Sequence, residues 1–116
     1  MGFLDYFRQP DMLTNLTLEE VESKIGSGTS EVIDVRSKGE FNRSHIKGSI
    51  SNPLSAINNI ISTMDKETDI ILICATGHRS RAAAAKLIEY GFTKVSHLEG
   101  GMRKWNKAGK EDQSSI

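Results

Sequence analysis

The stretch Asp69-Ile-Ile-Leu-Ile-Cys-Ala-Thr-Gly-His-Arg-Ser-Arg-Ala-Ala-Ala-Ala85 contains the only cysteine of the chain. Four consecutive apolar residues, Ile70 to Ile73, are what a strand buried on both faces of a parallel sheet requires. The loop that follows is small and turn-compatible, and from Ser80 onward Ala83, Ala84, Leu87 and Ile88 form one apolar stripe at helical spacing. Tyr90-Gly91-Phe92 fits a glycine C-cap with its hydrophobic companion. The alanines let this helix lie close to a sheet. A strand, a short loop and a helix in this order make a βα unit, with Cys74 at its junction.

The same alternation extends outward. Thr17-Leu-Glu-Glu20 is a capping-box pattern, and Leu18, Val21 and Ile25 continue it at helical spacing up to Gly26, which predicts a short first helix. Glu31-Val-Ile-Asp-Val35 reads as a strand, and His45-Ile-Lys-Gly-Ser-Ile50 as a shorter extended piece. After Pro53, the residues Leu54, Ile57, Ile60, Ile61 and Met64 recur as one helix face. Lys94 to Leu98 is a last strand, and Gly100 to Gly109 leads into a short final helix. Helices alternating with strands predict an α/β layer structure with a mostly parallel sheet. The tail from Lys110 to Ile116 is polar and expected to fray.

At 116 residues there is room for one domain. Fifteen basic and fifteen acidic residues cancel, so no overall field recruits nucleic acid or an anionic membrane, and any attraction for anions must be local. A single cysteine allows neither an internal disulfide nor a Cys-x-x-Cys pair, which suits a reducing, cytoplasmic setting. The opening residues Met1 to Arg8 are interrupted by Asp5 and lack the apolar core of a signal peptide. Phe3, Leu4, Tyr6 and Phe7 are expected to pack back on the domain, a short anchor or partner contact being the other use for them. The three histidines and the cysteine have no ligand-like spacing, so neither metal nor cofactor is expected.

In open α/β sheets, ligands collect at the carboxyl ends of the strands, where the following helices present their N-termini. Cys74 lies at such an end. Gly77 can adopt a positive φ that lets successive amide groups converge, so the loop reads as an anion cradle with sulfur at its base. A free thiol ionises near pH 8.5, and half-ionisation at neutral pH needs about 2 kcal/mol. A helix N-terminus contributes only ~0.3–1 kcal/mol, so amide donors from the loop must supply the rest. Arg79 and Arg81 add fixed positive charge nearby. A lone cysteine is often a small buried hydrophobe. Here the residues that follow it favour a nucleophile.

With these residues in view, the chain resembles the single-domain rhodaneses, a sulfurtransferase family whose active-site loop runs Cys-x-x-Gly-x-Arg-Ser from a strand into a helix. Cys74-Ala-Thr-Gly77-His-Arg79-Ser80 matches every fixed position. Asp34-Val-Arg36, Glu40-Phe41 and His45-Ile46-x-Gly48 resemble a second family segment, with Ser44 where the family has glycine. Leu98-x-Gly100-Gly101, Trp105 and Gly109 resemble the closing one. The resemblance implies a three-layer α/β fold with a central sheet of about five mostly parallel strands flanked by helices. It implies an N-terminal extension over 1–15, the domain over 16–109 and a polar tail over 110–116.

It also implies a function. Cys74 would be the catalytic nucleophile, taking a sulfane sulfur from thiosulfate or a persulfide donor and passing it to cyanide, a thiol or an acceptor protein. Ala75, Thr76, Gly77, His78, Arg79 and Ser80 would form the substrate-binding loop, with Arg79 and His78 aiding the anionic donor. Asp34, Arg36 and Glu40 are expected to support the loops through ion pairs rather than touch substrate. His45 is expected to be structural and Trp105 core, while His97 has the option of facing a polar side of the sheet. Two alternatives stand beside sulfur transfer: a partner-binding or sulfur-delivery module with little turnover, and a phosphatase of related fold. The phosphatase loop has five residues between Cys and Arg, whereas four separate Cys74 from Arg79.

Overall fold

The apolar run forms β4 (Ile70–Ile73), the middle strand of a five-stranded sheet. The other strands are β1 (Thr14–Leu16), β2 (Glu31–Asp34), β3 (Ile50–Ser51) and β5 (Val95–Leu98). Their order is β1-β5-β4-β2-β3, and every pairing is parallel. The computed structural model describes residues 12–110 and 112–114. Phe3, Leu4, Tyr6 and Phe7 lie outside the described residues.

Parallel pairing needs crossovers, and the helices supply them. They are α1 (Leu18–Ser27), α2 (Lys38–Arg43), α3 (Ile57–Thr63), α4 (His78–Glu89) and α5 (Gly101–Lys107), with a 3-10 turn over Leu54–Ala56. The alternation of β4 divides the core. Ile70, Leu72 and Cys74 face a cluster that includes Ile57, Ile60, Ala83, Ala84, Leu87 and Phe92. Ile71 and Ile73 face Leu18, Val21, Met102 and Trp105. The α3/α4 and α1/α5 layers thus cover opposite faces, which is why all four strand residues are buried. Trp105 takes the core position expected of it.

Local chemistry sets the element ends. Thr17 caps α1 through a reciprocal pair: its hydroxyl accepts from Glu20 N–H, and the Glu20 carboxylate accepts from Thr17 N–H. This helix runs past Gly26 and ends at Gly28, the residue that takes the left-handed conformation (φ 70°). The C-terminus of α4 closes as expected, with Phe92 N–H donating to Leu87 O and Gly91 N–H to Ile88 O, the paired bonds of a Schellman motif. Its N-terminus starts at His78, two residues before the Ser80 expected from the apolar stripe.

Two elements go beyond the sequence reading. A second capping box, Ser37 with Glu40, starts α2 between the two extended pieces. At the sheet edge, β1 opens before the first helix, and Leu13 just ahead of it is buried. Most of the expected extended piece 45–50 is irregular, with regular pairing only at Ile50–Ser51. Ser44, where a glycine was the family norm, has φ −167°, extended backbone that any residue adopts. The described part of the tail is also held, against the expectation of fraying. His45 and Gln113 exchange backbone hydrogen bonds of 2.8 and 2.7 Å, Ser44 donates to Asp112, and Lys110 pairs with Glu22 at 2.7 Å.

Because Leu72 lies at the centre of the sheet with no exposed surface, Leu72→Ala should lower unfolding free energy by about 2–5 kcal/mol in urea titration. A loss under about 1 kcal/mol would contradict this packing.

Candidate active site

Where β4 ends, the chain turns through Ala75, Thr76 and Gly77 into α4, and this turn surrounds the sulfur of Cys74. Gly77 has φ 112°, a conformation that L side chains rarely adopt, and its N–H donates to Cys74 Sγ at 2.8 Å. The N–H groups of His78, Arg79 and Ser80 form the first turn of α4 and have no acceptor inside the helix, which lends the sulfur the positive end of a twelve-residue helix. Cys74 is almost fully buried, and Ser80 places its hydroxyl 3.4 Å from the sulfur.

The loop is held from outside by α5. Met102 N–H donates to Cys74 O at 2.7 Å, and Arg103 N–H to Ala75 O at 3.0 Å. These bonds turn the carbonyls at the base of the loop toward α5. Gly101 makes this approach possible: a Cβ there would stand 2.2 Å from Cys74 O and 2.6 Å from Ala75 O.

The other residues expected at the site divide between a loop brace and a more remote clamp. Glu40 reaches across from α2 to Arg79 with two bonds, Nη1 to Oε1 at 2.6 Å and Nη2 to Oε2 at 3.0 Å. Its carboxyl is lowered from 4.5 to about 2, chiefly by the Arg79 hydrogen bond and further by Ser37. The Arg79 guanidinium is raised for the same reason. Asp34 and Arg36 close on each other instead. Arg36 donates Nε and Nη2 to the Asp34 carboxylate at 2.8–3.1 Å, then ties Nη2 to Ser44 O at 2.6 Å. That buried pair joins the end of β2 to the end of α2, and so carries Glu40 into register with Arg79. His78 is exposed and its Nδ1 lies 3.2 Å from the Thr76 hydroxyl.

His45 stacks on Phe41 at 3.8 Å, and its Nδ1–H donates to Phe41 O at 2.8 Å. It serves the α2 corner. His97, for which a polar side of the sheet was an option, instead faces α4 and is buried. Its Nδ1 lies 2.7 Å from Ser80 Oγ and its Nε2 2.6 Å from Asn15 Oδ1. Burial, and secondarily the charge of Arg81, lower it from 6.5 to about 4, so it is neutral at physiological pH. Sequence reasoning quoted Gly101 only within the closing segment and gave it no place at the loop, and it missed Asn15 and the inward direction of His97. Only Gly101 carried a local signal, as the second glycine of a pair at a helix start.

Comparison with known proteins agrees with the geometry. A family model described as Rhodanese-like domain matches residues 17–108. The thiosulfate sulfurtransferase GlpE of Pseudomonas aeruginosa is 30% identical over 105 residues, covering 90% of this chain and 94% of that protein. A Bacillus subtilis protein named "Putative sulfur carrier protein YrkF" is 32% identical over 94 residues, or 80% of this chain, which spans about half (51%) of that longer protein. The crystal structure of the Alr3790 protein from Anabaena superposes with a TM-score of 0.79 at 26% identity, covering 87% of this chain and 93% of that one.

Gly101→Ala should cost about 3 kcal/mol or more, because overpacking adds to a φ of 59° unfavourable for alanine; a chemical-denaturation loss below about 1 kcal/mol would show that α5 does not meet the loop in this way. The Glu40 carboxyl is more acidic folded than unfolded, so its contribution is full above pH 4.5 and is lost as pH falls through about 2. Glu40→Gln should flatten the stability profile across that window, and an unchanged acid limb would remove the Arg79 pairing from the account.

Proposed function

The chain belongs to the rhodanese-like family of sulfurtransferases, and from that premise we propose that it moves a sulfane sulfur through a persulfide on Cys74. The observation that carries this reading is the Gly77 N–H set 2.8 Å from Cys74 Sγ at the foot of α4. That placement stabilises charge on sulfur and leaves it fixed for attack.

In the first step the Cys74 thiolate attacks the outer sulfur of thiosulfate or a persulfide donor. A new S–S bond forms, the donor's S–S bond breaks, and sulfite or a thiolate leaves with the electron pair. In the second, a thiol or cyanide attacks the outer sulfur, the Cys74 S–S bond breaks, and the thiolate returns. This is two-step covalent catalysis with ping-pong kinetics. The first-turn amides of α4 and the Gly77 amide stabilise thiolate and persulfide alike. Arg79 offers the anion its guanidinium hydrogens not held by Glu40, with His78 beside it at the rim. Asp34, Arg36 and Glu40 act at one remove, by fixing the α2 corner and Arg79. With one cysteine in the sequence, no internal thiol resolves the persulfide, so an outside acceptor must.

The acceptor includes the possibility of a protein, because one relative is named for sulfur carriage. In that second reading the domain delivers sulfur, or binds a partner, with little turnover on thiosulfate. A phosphatase reading is third, since four residues between Cys74 and Arg79 make a cradle too small for a tetrahedral phosphate. A cytoplasmic setting is proposed from the lone cysteine; among the described residues no helix is long and apolar enough to cross a membrane.

Incubation with thiosulfate should add one sulfur atom to the intact mass, cyanide should remove it as thiocyanate, and Cys74→Ser should take up none. If neither thiosulfate nor a persulfide donor adds sulfur to the wild type, the partner-binding reading replaces this one. Hydrolysis of a phosphate monoester without sulfur uptake would instead favour the phosphatase.

A further inference from the structure

The hydrogen-bonded chain behind the sulfur uses side chains that the reaction above does not need. Cys74 Sγ, Ser80 Oγ, His97 Nδ1, His97 Nε2 and Asn15 Oδ1 follow one another at 3.4, 2.7 and 2.6 Å. Cys74, Ser80 and His97 are buried, and Asn15 is exposed at the sheet edge. The sheet itself builds the row. Asn15 is the register partner of His97 across β1 and β5, Leu72 is the register partner of His97 across β4 and β5, and Cys74 stands two residues beyond Leu72 on the same face. Ser80 bridges the last gap from α4.

Ser80 has one proton and three neighbours, because Gly77 O also lies 2.9 Å from its oxygen. Its hydroxyl cannot donate to His97, Gly77 and sulfur together. We infer that His97 is a positioning residue whose change of tautomer turns the Ser80 hydroxyl toward Cys74 when the sulfur ionises. The inference rests on the thiolate role given to Cys74 above.

With the thiol protonated, S–H donates to Ser80 Oγ, Ser80 O–H to His97 Nδ1, and His97 Nε2–H to Asn15 Oδ1. On ionisation the thiol proton passes to Ser80 Oγ, the Ser80 proton passes to Nδ1, and the Nε2 proton leaves to water at the exposed Asn15 edge. The net change is one proton from sulfur to solvent. The imidazole is neutral before and after, in keeping with its burial. Nδ1–H now donates to Ser80 Oγ, Ser80 O–H donates to the sulfur anion, and Asn15 turns its amide so that Nδ2–H meets the bare Nε2. The same arrangement then serves the persulfide anion. Without the imidazole, Gly77 O is the remaining fixed acceptor for the Ser80 proton, and sulfur loses that donor.

The test is the pH profile of Cys74 alkylation by iodoacetamide, followed by intact mass. It reads thiolate formation without any sulfur transfer, so its failure and the failure of the proposed reaction are distinguishable. His97→Leu and Ser80→Ala should each move the profile to higher pH by about one unit or more, the scale of one hydrogen bond to a charged group. The double variant should move no further than either single one. His97→Asn, whose amide at the Nδ1 position accepts from Ser80 through Oδ1 and on rotation donates to it through Nδ2, should restore the wild-type profile.

The charged and titratable groups around the row are His78, Arg79 and Arg81 of α4, Asp34 and Arg36 at the end of β2, Glu40 of α2, Glu99 after β5 and Arg103 of α5. All are retained in these variants. An unmoved profile in His97→Leu, additive shifts in the double variant, or no recovery in His97→Asn would each overturn the inference. Should His97→Leu fail to fold, His97→Gln, whose amide stands in place of Nε2 and leaves Ser80 without its partner, decides it beside His97→Asn: a shift in the first with none in the second supports the inference, and equal profiles refute it.

Discussion

Two backbone hydrogen bonds, from Met102 and Arg103 N–H to the carbonyls of Cys74 and Ala75, fix the arrangement on which the rest depends. A loop after a buried strand has polar groups that must all be satisfied. Here α5 takes the carbonyls, and the N–H side of the turn is left for sulfur. The approach tolerates no side chain at residue 101. It also requires β5 beside β4, so that the helix following β5 meets the loop following β4. The strand order thereby becomes part of the site chemistry.

The charges near the sulfur are arranged in a consistent way. Asp34 neutralises Arg36 in a buried pair, Glu40 holds Arg79 with two bonds, and His97 is kept neutral by burial. In direct contact with Cys74 Sγ are the Gly77 amide, the helix terminus and one hydroxyl, while the Arg79 charge acts on it from further off. The amides and the helix terminus are fixed before the charge forms and need no reorganisation when it does; only the Ser80 hydroxyl turns. In the proposed reaction the sulfur first gains and then surrenders an outer atom, and moderate, preorganised stabilisation suits both steps.

The parts legible in sequence were those coded by contiguous residues. The Ile70–Ile73 run, the stripe on α4 and its Tyr90-Gly91-Phe92 terminus each carry their own signal within a few positions. Ser37 and Glu40 of α2 spell the same capping box as Thr17 and Glu20, yet the helix has six residues and buries none of them, so no apolar periodicity announces it. The first helix was expected to close at Gly26, and the positive φ that ends it falls at Gly28 instead. Other features depend on distant pairing. Three-residue β1 is a strand because β5 lies beside it, some eighty residues later in the chain. The direction of His97, its contact with Asn15 and the closeness of Gly101 to Cys74 all follow from that register and strand order, which no local pattern contains.

The loop amides and the Ser80 hydroxyl are arranged to hold a sulfur anion on Cys74, and a crystal structure of the protein after reaction with thiosulfate is the decisive check. The added sulfur should be bonded to Cys74 Sγ, lie within the turn from Ala75 to Ser80 and accept hydrogen bonds from its N–H groups. An added sulfur pointing away from that turn, or a loop that must unfold from α5 to accommodate it, would rule this arrangement out.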